Sequence, residues 1–330
     1  MHFHYPELDH LDDDDLGFLE QLNQADEKRR FVTLMNIADE EREDLLPWLH
    51  YAVAHDPSAL VRVEAAKRLE GWEDSNSLQA LAQALLDKDV SVVNAATQSL
   101  SEVKQEKSAD VLVTYLSNEV SVVKVAILRA LKPLRYVEAY AQITQHTQHS
   151  DALVRREAVS TLSWLQQEQA VDNLSQIAQH DSDLETRRIA TGGLGYVKQP
   201  SDAVIHALAQ GLQSENWQLR VEAALTIGKL KLQMLESDLI ALLYDRYWQV
   251  RIAVTRSLGV LKSVQALDGL AHNFDFDLSN LRKEVALALG EIGGERAEKL
   301  LQAHADDADP EVRKAIRIGL GQIVEREHAH

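Results

Sequence analysis

The sequence predicts an all-α chain, a right-handed α-solenoid (superhelix) of about ten helix pairs. Three observations lead there. The first is a period: an apolar residue followed by a second, usually Arg, with an apolar or small residue three or four steps on and Leu or Ile eight steps on. This phrase starts at Val61, Val92, Val123, Val154, Thr186, Leu219, Val250, Leu281 and Val312, at gaps of 31, 31, 31, 32, 33, 31, 31 and 31 residues. A fixed spacing of this size marks a repeat array. The second is phase, because steps 0, +4, +8 and +11 (Val250, Val254, Leu258 and Leu261) share one helical face. The third is punctuation. Asp151, Asp183, Asn216 and Asp309 stand three residues ahead of the phrase, where a short acceptor caps a helix start. Gly195, Gly228, Gly259, Gly290 and Gly321 follow the last strong apolar residue, where a helix end or a tight backbone approach suits glycine.

Taken in chain order, residues 1–25 form an acidic segment, 26–42 a cap, and the repeats run to a short tail at 325–330. Within a repeat, a less regular apolar run such as Leu78, Leu81, Leu85 and Leu86 or Val204, Leu208 and Leu212 supplies a first helix, A, and the phrase supplies a second, B. Neither buries its stripe alone, so neighbours stack around one elongated core. The position after the first apolar residue reads Arg62, Val93, Lys124, Arg155, Arg187, Arg220, Arg251, Arg282 and Arg313. Charges repeated beside a core need partners, so each arginine is expected to reach an Asp or Asn of its own or the adjoining A–B turn.

Runs such as Val61-Arg62-Val63-Glu64-Ala65-Ala66, Val154-Arg155-Arg156-Glu157-Ala158 and Asp309-Pro310-Glu311-Val312-Arg313-Lys314-Ala315 resemble the short HEAT-like repeats of the phycobilin-lyase type, over about residues 43–324. The resemblance implies the fold. It says little of function, because such repeats serve scaffolds, adaptors, chromophore lyases, a DNA glycosylase class and a metal-dependent hydroxylase.

Composition narrows the classes. The net charge is −18, and residues 1–60 hold 15 acids against 4 bases, among them Asp12 to Asp15. That block reads first as a solvated end that leaves the array foldable without residues 1–25, and second as an arm for a basic partner. There is no cysteine, hence no disulfide or thiolate site. No apolar run reaches membrane-spanning length and the N-terminus lacks the features of a signal peptide, so a cytoplasmic protein without membrane contact is expected.

Candidate chemistries fail on residue type. The hydroxylase holds iron with His-Glu pairs, and the matching pairs here are Val63-Glu64, Arg156-Glu157, Val221-Glu222 and Lys283-Glu284, without histidine. His146 with His149, and His50 with His55, lack a third ligand and are expected in solvent, and the terminal His2, His4, His328 and His330 are expected to be mobile. Gly192-Gly193-Leu194-Gly195 follows no strand and carries no Walker lysine. No catalytic residue, metal or cofactor is therefore expected.

The outward steps of helix B mix Arg129, Arg156 and Arg188 with Val63, Val125, Val221, Leu225, Ile252, Leu287 and Ile318. An acidic chain with such a face suits a protein or extended peptide better than nucleic acid. The expected function is a non-enzymatic scaffold or adaptor, with a lyase-like or glycosylase-like enzyme as the alternative. Its contact centres on the lengthened spacing near Gly192 and Gly193, with Arg156, Arg188, Trp164, Tyr196 and Leu225 as anchors. Trp217, Tyr247 and Trp248 line the A–B turn edge, either packed over the neighbouring turn or as a second contact.

Overall fold

The computed structural model describes residues 4–9 and 11–328. His2 and His330 lie outside them. The described residues form twenty α-helices joined by turns and short 3-10 segments, with no strand among them. They fall into two compact units, Met1–Leu165 and Gln166–His330, a division that charge and composition do not announce.

The first unit contains five pairs: α1 (Asp13–Leu22) and α2 (Glu27–Asp39), α3 (Leu46–His55) and α4 (Ala59–Arg68), α5 (Ser75–Ala84) and α6 (Val90–Ser101), α7 (Ala109–Thr114) and α8 (Ser121–Leu134), α9 (Tyr140–His146) and α10 (Ala152–Leu165). The second contains α11 (Val171–His180) and α12 (Leu184–Gly193), α13 (Asp202–Leu212) and α14 (Trp217–Leu230), α15 (Glu236–Ala241) and α16 (Trp248–Val260), α17 (Leu267–Phe274) and α18 (Ser279–Ile292), α19 (Glu295–Ala303) and α20 (Pro310–His328). In each unit the B helices stack in order, α4 to α10 and α12 to α20 in steps of two. The A helices form the second layer, as α3, α5 and α7 do. This is the expected α-solenoid packing. The phrase residues Val61, Val92, Val123, Val154, Thr186, Val250, Leu281 and Val312 are fully buried between the layers, each apolar side chain contributing about 1.5–3 kcal/mol.

All four expected caps are present. Asp183 accepts from Thr186 N, Asn216 from Gln218 N and Leu219 N, Asp151 from Leu153 N, and Asp309 from Glu311 N. Of the two roles expected for the glycines, the structure shows the tight backbone approach. Gly228 and Gly259 lie inside α14 and α16, where a Cβ would stand 2.9 Å from the Cα of Ser257 and of Ala288 on the next B helix. They set the spacing between stacked helices rather than ending them. The left-handed residue after the helix comes later, at Lys231 (φ 55°) and Lys262 (φ 54°). Stacked B helices are also pinned by Ser99, Thr161, Thr226 and Ser257, whose hydroxyls donate to backbone carbonyls of the preceding B helix.

The acidic N-terminal segment is no free tail. Tyr5 is buried and donates to Asp56 at 2.9 Å, Trp48 Nε1 donates to the Pro6 carbonyl at 2.8 Å, and buried Asp15 receives both terminal nitrogens of Arg42. Tyr5, Asp15 and Leu22 are buried while the neighbouring acids stay exposed or half-buried, so the segment reads as solvated by charge and packs by burial. Removing residues 1–25 would strip partners from Asp56, Arg42 and Trp48, so the remainder is expected to be less stable than the full chain.

Candidate functional site

The repeated arginines build one edge of each unit. The A–B turn is shaped by an acceptor five residues ahead of the phrase: Asp56, Asp87 and Asp245 each accept, through Oδ1, the N–H two residues on at 2.8 Å, and Asp307 does the same. The same carboxylate then receives an arginine of the preceding pair in fork-to-fork fashion. Arg30 reaches Asp56, Arg62 reaches Asp87, Arg220 reaches Asp245 and Arg282 reaches Asp307, through Nε and Nη2 at 2.7–3.1 Å. Such bidentate charged bonds are the strong class. Each guanidinium finishes by donating Nη1 to a carbonyl five or six residues behind it, as Arg62 does to Asp56 and Pro57 and Arg220 to Ser214 and Glu215. Arg282 holds the Asp307 carboxyl below its ordinary value, and Asp307 in turn raises Arg282.

Where the turn residue changes, the rung changes. Lys124 donates to the Leu116 carbonyl, and Arg251 lies 4.7 Å from the Phe276 ring centroid while donating to Asn273 and the Asp245 carbonyl. Arg187 faces Ser214, and its Nε is buried without a hydrogen-bond partner among the described residues.

The arginines expected to greet a partner from helix B are largely engaged within their units. Arg129 donates to Glu157 at 2.7 Å, and Arg188 holds Glu185 and Glu222. Arg256 forks onto Glu284 in the same manner. Gly192 adjoins this network, because a Cβ there would meet Glu222 Oε1. The space over Gly192 is taken by the Glu222 side chain of the same unit. The rest of the expected central contact divides between the units. Arg156 is half-buried on α10, and Trp164, 47% exposed, has Arg135 5.5 Å from its ring. In the second unit Leu225 is exposed on α14. Tyr196 corrects another expectation: it is half-buried, and its hydroxyl donates to the Gln167 carbonyl at 2.7 Å, so the ring packs between repeats instead of facing outward.

The turn edge of the second unit is where aromatic residues do gather. Trp217 stacks on Tyr247 at 5.9 Å with 23° between planes, and Arg246 and Arg220 lie 4.9 and 5.6 Å from the Tyr247 centroid. Beside them Trp248 is 44% exposed, and Tyr244 and Phe276 are exposed too. Arg246 and Phe276 were not singled out by sequence; Arg246 directly precedes Tyr247, and Phe276 is reached through Arg251 of α16.

Among the described residues the histidines hold no shared metal site. His50 bonds Ser77 at 2.7 Å and burial lowers its pKa, while His146 and His149 are half-buried rather than solvated, and burial lowers His146 likewise. Among the described residues no group of three His, Cys, Asp or Glu is placed to hold a metal ion, and no helix there is long and apolar enough to cross a membrane.

Comparison with known proteins agrees with this architecture. Residues 17–100, 45–132, 121–195 and 205–279 match HEAT repeats. No curated protein matches. Among solved structures, the chain is similar to YibA of Escherichia coli, with 17% identity, a TM-score of 0.54, and 91% of this chain and 98% of that one covered. An engineered protein gives 18% identity and a TM-score of 0.52, covering 93% and 98%. A chain in the structure of Kap95p with RanGDP gives 13% and 0.64, with 96% of this chain spanning 51% of that one.

Proposed function

This chain belongs to the HEAT-repeat family, and we propose that within it the protein is a non-enzymatic, cytoplasmic scaffold or adaptor that binds a protein or extended peptide, not nucleic acid. The short period of 31–33 residues supports a place among the repeats of the phycobilin-lyase type. One observation carries the reading: the second unit presents Trp248, Tyr244 and Phe276 to solvent beside the stacked Trp217, Tyr247 and Arg246. Burying such rings elsewhere in the core would stabilise the fold, and their exposure does not. Tyr, Trp, Phe and arginine are the residues that concentrate at the centres of protein interfaces, where each offers a large rigid area with few torsions to freeze.

The helix B face, with its Arg–Glu bridges already closed, is a weaker candidate, because a partner would first have to break them. The docking surface therefore moves from the middle of the array to the turn edge. The acidic charge of the chain also argues for a polypeptide over a phosphate backbone.

The test is comparative capture from lysate on immobilised full-length protein, wild type against Tyr247→Ala with Trp248→Ala. A polypeptide held by the wild type and weakened about thirtyfold or more, as an anchor worth 2 kcal/mol implies, supports the edge. Unchanged retention by the folded variant refutes it. A visible chromophore or a metal in the purified protein, by absorbance or elemental analysis, would instead favour the enzyme class.

A further inference from the structure

The turn ahead of α14 has the scaffold of a rung without its carboxylate. Ser214 occupies the step held by Asp56, Asp87, Asp245 and Asp307, and like them it accepts the N–H two residues on, from Asn216 at 3.2 Å. A hydroxyl completes that turn but cannot fork onto a guanidinium. Arg187, the arginine of the preceding pair, is thus left with its buried Nε unpartnered, and it lines a cavity of about 650 Å³ together with Ser214, Gln179, Gln210 and Gln213. Leaving a buried charged donor unmatched is costly, and the Gln210 and Gln213 amides and the Ser214 hydroxyl, which line the same cavity, add donors for one more oxyanion.

We propose that this cavity binds a carboxylate supplied from outside the chain, which completes the rung as Asp245 completes that of Arg220. Geometry selects the carboxylate. Four rungs show that the same step of the A–B turn places two oxygens in line with Nε and Nη2 at 2.7–3.1 Å, the planar fork that matches a carboxylate. Glu215 also lines the cavity, but its side chain is exposed and makes no bond to Arg187. The source is an acidic side chain or C-terminus of a bound polypeptide, or a small free carboxylate. The first deepens the scaffold reading, while the cavity's chemistry stands apart from it.

The experiment uses full-length protein labelled at arginine with ¹⁵N and follows the Arg187 Nε–H resonance, identified by its loss in Arg187→Gln. Acetate, inorganic phosphate and chloride are titrated at matched ionic strength. Acetate is expected to shift the resonance saturably, with a dissociation constant on the order of 10–100 mM for one charged fork, and Glu215→Gln is expected to keep that response. In Ser214→Asp the resonance should start near the acetate-bound position and no longer respond, and Tm should rise by about 2–4 °C. No saturable acetate shift in the wild type, a shift with phosphate alone, or an undiminished response in Ser214→Asp would overturn the proposal. Polypeptide capture then separates the sources: Ser214→Asp lowers retention about tenfold if the carboxylate is the partner's, and leaves it unchanged if the ligand is a free small acid. Failure of the capture in Tyr247→Ala with Trp248→Ala bears on the scaffold and not on the acetate titration.

Discussion

Two neighbouring turns of the second unit, the one ahead of α14 and the one ahead of α16, close the same side-chain bond to the N–H two residues on and differ in the group that accepts it, Ser214 in one and Asp245 in the other. In the second, Asp245 accepts the Tyr247 N–H and both arms of Arg220, whose side chain is 8% exposed. In the first, Ser214 keeps the turn bond and leaves Arg187 Nε without a partner. The comparison separates two duties that the aspartate combines. Shaping the turn needs one acceptor. Holding both arms of the guanidinium falls to the carboxylate in the intact rungs; where it is missing, the arginine turns to other groups, as Arg251 does to Asn273 and the Asp245 carbonyl, or keeps a buried donor without a partner, as Arg187 does.

The largest effect should come from breaking the intact turn. Asp245→Ala removes both duties and strands a buried Arg220, so a loss of about 3–5 kcal/mol is expected in urea or thermal melts. Asp245→Ser copies the neighbouring turn. It should recover about 1 kcal/mol of that loss, the worth of the restored turn bond, and equal losses for Ala and Ser would mean that the hydroxyl does not hold the turn. Arg220→Gln should also be strongly destabilising, whereas Arg187→Gln should change stability by no more than about 0.5 kcal/mol. A large loss at Arg187 would show a partner for it within the fold.

Acid should distinguish the rungs more gently. Asp307 has its folded pKa held below 3.8 by Arg282. A depressed carboxyl contributes stability above its unfolded value and gives it up as pH falls through the folded one, so the Arg282–Asp307 contribution is complete at pH 5 and fades below 3.8. Asp307→Asn should be less stable than wild type at pH 5, with the gap narrowing toward pH 2.5 in urea titrations. The smallest change belongs to the exposed edge: Trp248→Ala should alter Tm little, because its ring is not part of the core. A drop comparable to that of Asp245→Ser would place Trp248 in the packing rather than on a docking surface.

Period, phase and capping were legible in the residues because they are local. A 31-residue spacing, a 100° stripe and an Asp or Asn three residues ahead of it depend on nothing farther along the chain, and the paired helices and the four expected caps follow. The arginine ladder was legible as a need for partners, and the step that supplies them, from Asp56 to Asp307, is visible once the turns are aligned; Ser214 stands out at that step for the same reason. What stayed hidden was everything decided by which surface covers which. The acidic run at Asp12–Asp15 has the composition of a tail and packs as a cap, since burial of Tyr5 and Asp15 is settled by residues as distant as Asp56 and Arg42. Tyr196 and Trp248 are both aromatic residues read from the sequence as contacts for a partner, yet one bonds the Gln167 carbonyl and the other lies open. The sequence by itself determined the repeat, its helices and the charges they carry. Tertiary structure alone decided which of those charges are already paired, because a pairing between residues some 25 positions apart depends on how adjacent repeats stack, and that stacking is a property of the packed core rather than of any local run.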